Sequence, residues 1–320
     1  MVETRKIVKS GNSSYVLSLP IKWVRKNDLE KDKSVIVNEN DVGDLIISVK
    51  TKSSETKSAL TVIKIDGKDE DTVNLELLTA YIRDASSIIF EGKEVPVKAS
   101  KIIESVKSFI ALDIIEQSTD SITVKNFFHL DLETSPRILI RKMDIVNRAS
   151  MTLLSNFFKK GFANEDFFEL QKLNEQNDHL FTLVRKCVLK LFENPRLMPR
   201  LQTNPLQTTK DRLFSQSLTH ISTNFLVVGK AFLFLDPKRE DNKMLSRDFN
   251  KLIKDYNTLI SAINNSDYEL IHEFIKESII RRVELDRTLK TLDDPLAAQV
   301  IASLLSVYYN LRELGYESLA

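Results

Sequence analysis

Residues 5–20 read RKIVKSGNSSYVLSLP, and this stretch sets the pattern of the N-terminal part of the chain. Two short apolar runs flank a polar turn that contains Gly11, and Pro20 closes the second run. Short β-branched and aromatic runs around a glycine turn are typical of a β-hairpin. We therefore predict two strands here, followed by a short helical stretch over residues 21–27.

A second pair of apolar runs follows at residues 34–37 and 45–49, around a polar segment that contains Gly43. This pattern predicts another hairpin. Four strands and one helical turn in fewer than fifty residues provide a thin core, which small β units usually complete by pairing with a second copy. Residues 1–50 are therefore predicted to form a dimerising domain.

Residues 58–128 have a different rhythm, in which strand-like and helix-like patterns alternate. The strand candidates are residues 60–65, 87–90, 114–115 and 121–124, and the helix candidates are residues 71–84 and 100–109. This order predicts a small α/β domain. No glycine-rich phosphate loop stands at its strand-to-helix turns, so we expect a role in dimerisation or spacing.

Residues 135–320 are predicted to be helical throughout. Only three glycines occur there, and apolar residues recur at spacings of three and four. Breaks are expected near residues 194–205, 236–237 and 293–295, which leaves about six long helices in a bundle. The fold class predicted for the whole chain is therefore multidomain α+β.

The helical region contains a weak internal repeat. The repeated residues are Ser217, Leu218, Ile221, Asn224 and Gly229, which are matched 86 residues later by Ser303, Leu304, Val307, Asn310 and Gly315. Two stacked three-helix units would explain this spacing.

Composition excludes several broad classes of protein. The chain carries 46 Lys and Arg against 45 Asp and Glu, so any basic surface must be local. The single Cys187 cannot form an internal disulfide, and no run of 18 apolar residues or signal peptide is visible. We expect a soluble, cytoplasmic protein without membrane insertion.

Residues 5–26 contain six basic residues and no acidic one. Together with neighbouring polar side chains they form the predicted DNA-binding set: Arg5, Lys6, Lys9, Ser10, Asn12, Ser13, Lys22, Arg25 and Lys26. Such a surface suits phosphate contacts. A solvated face with ordinary lysines has the same composition, so charge alone leaves both interpretations open.

The sequence of residues 5–20, followed by Trp23, Val24, Leu29 and residues 32–35, resembles the AbrB/SpoVT family of swapped-hairpin DNA-binding domains. The resemblance implies an intertwined homodimer, a swapped-hairpin β-barrel that binds double-stranded DNA through its basic hairpin and helix. The glycine of the family's "GD" turn is replaced here, where Asp32 and Lys33 stand near that position.

The helical region resembles the PhoU family, which is built from two three-helix repeats and acts in the regulation of phosphate uptake. The resemblance is carried by residues 178–181 (DHLF) with Arg185, by residues 286–289 (DRTL), and by the Ser-Leu pairs at 217 and 303. An AbrB-like head, an α/β middle and a PhoU-like tail together are typical of archaeal regulators.

The chain departs from that family at its metal motif. PhoU proteins often bind metal ions through two acidic residues four apart, and the corresponding pairs here are Thr219 with Thr223 and Leu305 with Tyr309. The remaining weak candidates for metal ligands are Asp178, Asp286, Glu175 and Glu284. We therefore predict neither a metal ion nor a cofactor.

The sequence thus predicts a dimeric DNA-binding transcription regulator linked to phosphate uptake or homeostasis. An alternative is a PhoU-type adaptor without DNA binding, which docks on a transporter ATPase or a sensor kinase. An enzyme is not expected, because no grouping of acid, base and nucleophile is visible.

Overall fold

The computed structural model describes residues 4–11, 14–29, 34–39, 43, 45–49, 60–236 and 241–319. The chain divides into two compact units, Met1–Ser58 and Ala59–Ala320. It is mixed α+β, with short strands in the N-terminal part and long helices in the C-terminal part, as the sequence predicts.

The first unit contains the two predicted hairpins and the short helix. Its elements are β1 (Ile7–Ser10), β2 (Ser14–Leu17), α1 (Ile21–Lys26), β3 (Val35–Glu39) and β4 (Leu45–Val49). Both pairs are antiparallel. Gly11 and Gly43 have φ angles of 72° and 85°, in the left-handed region that favours glycine in tight turns.

The described strands of this unit form two separate two-stranded sheets, β1-β2 and β3-β4. Within one copy of the described residues they do not close into a barrel. A swapped-hairpin barrel needs strands from two copies, so the barrel stays a prediction. Asn12, Ser13, Asp32 and Lys33 lie outside the described residues.

The second unit begins with the α/β part. Its elements are β5 (Leu60–Lys64), α2 (Glu70–Ile82), β6 (Ser87–Glu91), α3 (Val95–Lys107), β7 (Leu112–Gln117) and β8 (Ser121–Asn126). The sheet order is β5-β6-β8-β7, with β5 and β6 parallel and the other pairs antiparallel. Helix α3 begins five residues earlier than predicted, because Pro96 fits in a first helical turn, where a missing N–H breaks no bond.

The helical part follows, with breaks where the sequence predicts them at residues 194–204 and 292–294. Its helices are α4 (Pro136–Ser155), α5 (Phe157–Lys160), α6 (Asn164–Glu193), α7 (Pro205–Phe232), α8 (Asp241–Asn264), α9 (Tyr268–Thr291) and α10 (Pro295–Leu319). Helices α4, α6 and α7 pack together, α8, α9 and α10 do likewise, and α7 joins the two halves by packing on α10. The single turn α5 was not predicted.

The repeated positions have equivalent surroundings in the two halves. A Cβ on Gly229 of α7 would lie 2.2 Å from Leu170 of α6, and one on Gly315 of α10 would lie 3.0 Å from Ile275 of α9. The missing side chain of each glycine therefore allows a neighbouring helix of its own half to approach closely: α6 at Gly229 and α9 at Gly315. In addition, Asn224 and Asn310 each donate a side-chain hydrogen bond to the carbonyl four residues before, at 2.7 and 2.8 Å.

The α/β part and the helices belong to one compact unit. Lys190 Nζ on α6 lies 2.5 Å from Asp84 Oδ2, in the turn after α2. Lys186, one turn earlier on α6, is fully buried over the rings of Tyr81 and Phe128, with Nζ 3.9 and 4.8 Å from the ring centroids. The finer division into domains at 58–128 and 135–320 stays a prediction.

Candidate nucleic-acid interface

Positive charge is concentrated in residues 4–29, which lie within the first unit. Residues 4–29 carry six basic side chains and one acidic side chain, Asp28. The whole chain has 46 basic and 45 acidic residues, so 40 and 44 remain elsewhere, a net charge of −4. All six basic residues are exposed. An anionic partner would therefore be attracted to residues 4–29 and weakly repelled by the net charge of the rest of the chain.

Helix α1 has one basic face. Lys22, Arg25 and Lys26 stand three and four residues apart, which places them on the same side of the helix. Trp23 and Val24 point away from that side and are half-buried. Arg25 and Lys26 also lie in the last turn, where positive charge is favourable to the helix dipole. The helix therefore presents three cations on one face, and Lys and Arg are the side chains that commonly contact phosphate oxygens.

The first hairpin carries the other three basic residues. Lys9 lies directly across from Tyr15, next to the turn at Gly11, and Ser10 faces Ser14. Arg5 is directed along the hairpin, where its Nη1 donates to Ser18 Oγ at 3.4 Å. The structure thus brings the predicted residues into two groups, one on the hairpin and one on α1. Asn12 and Ser13, the other members of the predicted set, lie outside the described residues.

The first unit exposes apolar side chains on both faces of its hairpins. Ile7 is 66% exposed and Leu45 is 68% exposed, and none of the described residues of this unit is buried. A groove of about 640 Å³ runs between the elements, and its apolar lining consists of Ile7, Leu17, Leu19, Pro20, Trp23, Leu45 and Ile47. Arg5 stands at this groove.

The apolar groove is the part of the site that residue-by-residue reasoning missed. The predicted thin core was the available signal, because apolar strand residues without a core to enter must lie on a surface. The groove identifies the apolar side chains that lie on this surface.

The weak metal candidates do not converge. Glu284 pairs with Arg281 at 2.8 Å, and the hydrogen bond from that guanidinium lowers the pKa of the Glu284 carboxyl. Asp286 pairs with Lys290 at 2.6 Å, Asp178 accepts from Asn174 at 3.2 Å, and Glu175 is exposed. Within the described ranges, no three His, Cys, Asp or Glu side chains are placed to share a metal ion.

None of the helices in the described part of the chain combines the length and the apolar composition needed to cross a membrane. Comparisons with protein-family models, with curated proteins and with solved structures found no match to this chain. The two family resemblances therefore rest on the quoted residues, and the function must be argued from the site itself.

Proposed function

We propose that this protein is a cytoplasmic DNA-binding transcription regulator that dimerises through its first unit. The observation that carries the proposal is the basic face of α1, with Lys22, Arg25 and Lys26, on a unit that exposes apolar side chains such as Ile7 and Leu45. The helical region would relay a signal connected with phosphate homeostasis. Its partner would be a transporter ATPase or a sensor kinase.

Dimerisation follows from the exposed apolar groove. Full burial of one Val, Leu or Ile side chain contributes about 1.5–3 kcal/mol, and a lone two-stranded hairpin is marginal in water. A second copy can cover Ile7, Leu17, Leu45 and Ile47 together, because all four line one groove. The swapped-hairpin barrel that the family resemblance implies is one geometry that would do so.

Duplex DNA is the anionic partner that fits a dimer of this unit. Two copies present twice six basic side chains, on hairpins and on helices of a size suited to contacts along a sugar-phosphate backbone. Phosphate contacts release counterions and do not depend on sequence. Reading of base edges would fall to Arg5 and Arg25, whose guanidinium groups suit guanine, and to Asn12 for adenine.

Control by the helical region requires a differential contact. A partner protein that binds this region more tightly in the DNA-competent dimer than in the free dimer would shift the population between them.

The test is the salt dependence of binding to a labelled 30-base-pair duplex, measured with the full chain by fluorescence anisotropy. With six to ten phosphate contacts, we expect affinity to fall by about 10³–10⁵ between 50 and 200 mM salt. The double variant Lys22→Gln/Lys26→Gln removes up to four contacts from a dimer. It should reduce the slope of log K against log salt by about 3 to 4.

A matched control is Lys276→Gln/Arg287→Gln, which removes two exposed charges from α9 of the second unit. It should leave the slope unchanged. Lack of salt-dependent duplex binding by the folded protein, or equal slopes for the two double variants, would refute DNA binding. Such a result would favour the adaptor function.

A further inference from the structure

A pocket of about 280 Å³ lies between the two halves of the helical region. It forms where the early turns of α4, α7 and α9 meet the last turns of α8 and α10. Pockets for small molecules usually measure about 300–1,000 Å³. The volume lies near the lower end of this range and suits a small ligand, such as one of amino-acid size.

A buried carboxylate, that of Asp211 on α7, lines this pocket. Asp211 is 7% exposed, and its Oδ1 accepts a hydrogen bond of 2.8 Å from Gln207 Nε2. Among the described residues, no basic side chain lies within ion-pair distance of it. Burial raises the pKa of this carboxyl, and the hydrogen bond from Gln207 and then the charge of Arg137 partly oppose that rise. A desolvated carboxylate without a cation in direct contact costs stability, so a cationic group supplied by a ligand would be stabilising here.

Basic side chains line the same pocket. Arg137 and Arg141 stand four residues apart on one face of α4, and Lys210 precedes Asp211 on α7. None of the three forms an ion pair with another described residue. Glu317, near the end of α10, is the second acidic residue of the lining. The pocket lining thus carries groups that can bind an anion and groups that can bind a cation.

We propose that this pocket binds a small zwitterion, an amino acid or a molecule of similar size with an ammonium group and an anionic group. The ammonium group would meet Asp211, and the anionic group would meet Arg137 and Arg141. A simple anion would be repelled by Asp211, and a simple cation by the two guanidinium groups. Phe214 and Ile271 supply apolar wall for the rest of the ligand. The proposal does not depend on DNA binding.

The position of the pocket gives binding a structural consequence. Asp211, Arg137 and Arg141 belong to the first half of the helical region, whereas Ile271 and Glu317 belong to the second. A ligand in contact with both halves would stabilise their packing. Binding should therefore raise the thermal unfolding midpoint of the second unit.

The experiment uses the full chain and measures thermal midpoints and calorimetric affinities. The probes are the twenty protein amino acids, with taurine and ethanolamine phosphate to supply sulfonate and phosphate as the anionic group. At a hundredfold excess over Kd, we expect at least one probe to raise the midpoint by about 5 °C or more. Its analogues that lack either the ammonium or the anionic group should bind at least tenfold more weakly.

Two variants separate binding from folding. Asp211→Asn should weaken binding at least about thirtyfold, while the midpoint without ligand stays the same or rises, because a desolvated charge is removed. Arg141→Gln should weaken binding about tenfold, and the exposed Arg287→Gln on α9 should not change it. The proposal is overturned if none of the probes binds saturably, or if Asp211→Asn binds as tightly as the unaltered chain.

Discussion

The two units bury their apolar side chains to very different extents. In the first unit, Ile7 and Leu45 are about two-thirds exposed, and none of the described residues is buried. In the second unit, Ile65, Phe90 and Leu304 are fully buried, and the core runs from the α/β sheet into both halves of the helical region.

Under the proposed function, this difference separates a unit that can fold by itself from one that needs a second copy. Burial of apolar surface is the main favourable term in folding, and the second unit obtains it within one chain. The first unit has short hairpins whose apolar side chains lie along a groove. Its stability should therefore depend on protein concentration, whereas that of the second unit should not.

The largest expected effect comes from a charge placed in the groove. Leu45→Asp should dissociate the dimer and weaken duplex binding at least about a hundredfold, because a buried unpaired carboxylate costs several kcal/mol. Sedimentation velocity and anisotropy measure the two effects. The second unit should keep its unfolding midpoint, since its core is separate.

Leu206→Asp is the matched control for Leu45→Asp. Leu206 is 59% exposed on α7 of the second unit, close to the 68% of Leu45. The Leu206→Asp variant should leave both dimerisation and DNA binding unchanged. If Leu45→Asp also stayed dimeric and bound DNA normally, the first unit would not be the dimer interface.

A smaller effect is expected inside the second unit, at the close approach of α6 and α7. The new methyl group of Gly229→Ala would overlap Leu170, so overpacking should outweigh the gain in helix propensity. We expect a loss of about 1 to 2 kcal/mol in the free energy of unfolding, measured in urea. Gly315→Ala should reduce the free energy of unfolding by less, because the added methyl group would lie farther from its neighbour Ile275.

Leu170→Ala is the test of this explanation. Combined with Gly229→Ala, it should cost less than the sum of the two single variants, since the smaller side chain makes room for the methyl group. Additive losses would show that the two residues do not compete for the same space.

An effect similar in size to that of Gly229→Ala, but opposite in sign, is expected at Lys186, a buried charge in the core of the second unit. Burial lowers its pKa to about 8, and Asp84 at 3.2 Å only partly offsets this effect. Lys186→Met should stabilise the protein by about 1 to 2 kcal/mol at pH 7, because Asp84 keeps Lys190 as its partner. Chemical denaturation measures the difference.

The stability gained by Lys186→Met should depend on pH. Lys186 has a lower pKa in the folded chain than its ordinary value of 10.5, so the unfolded chain binds more protons between about pH 8 and 10.5. The loss of stability caused by the buried charge of Lys186 is therefore fully present below pH 8 and disappears as the pH rises towards 10.5. The advantage of Lys186→Met should shrink over the same range. A Met variant less stable at pH 7 would mean that the ring contacts outweigh desolvation.

Much of the architecture follows from local sequence patterns. The hairpin around Gly11, the strand-helix order of residues 60–126 and the breaks between the long helices were all predicted, because strand and helix periods are local properties. The early start of α3 at Val95 was not predicted, because the apolar periodicity that predicts this helix begins only at Ile102.

The candidate interface was predictable as a set of residues but not as a surface. The six basic residues are visible in the sequence, and the helical spacing of Lys22, Arg25 and Lys26 gives their common face. Arg5 lies at the apolar groove because β4 and α1 approach the first hairpin there. Neighbours in sequence do not reveal such contacts.

By itself, the sequence determined the class of fold, the two hairpins, the helical region with its repeated glycines, and the concentration of charge in residues 4–29. Only the tertiary structure decided that Lys186 is buried, that Asp211 lines a pocket with Arg137, and that Gly229 faces Leu170. The reason is physical: periodicity acts within one element, whereas burial and electrostatic environment arise between elements that are distant along the chain.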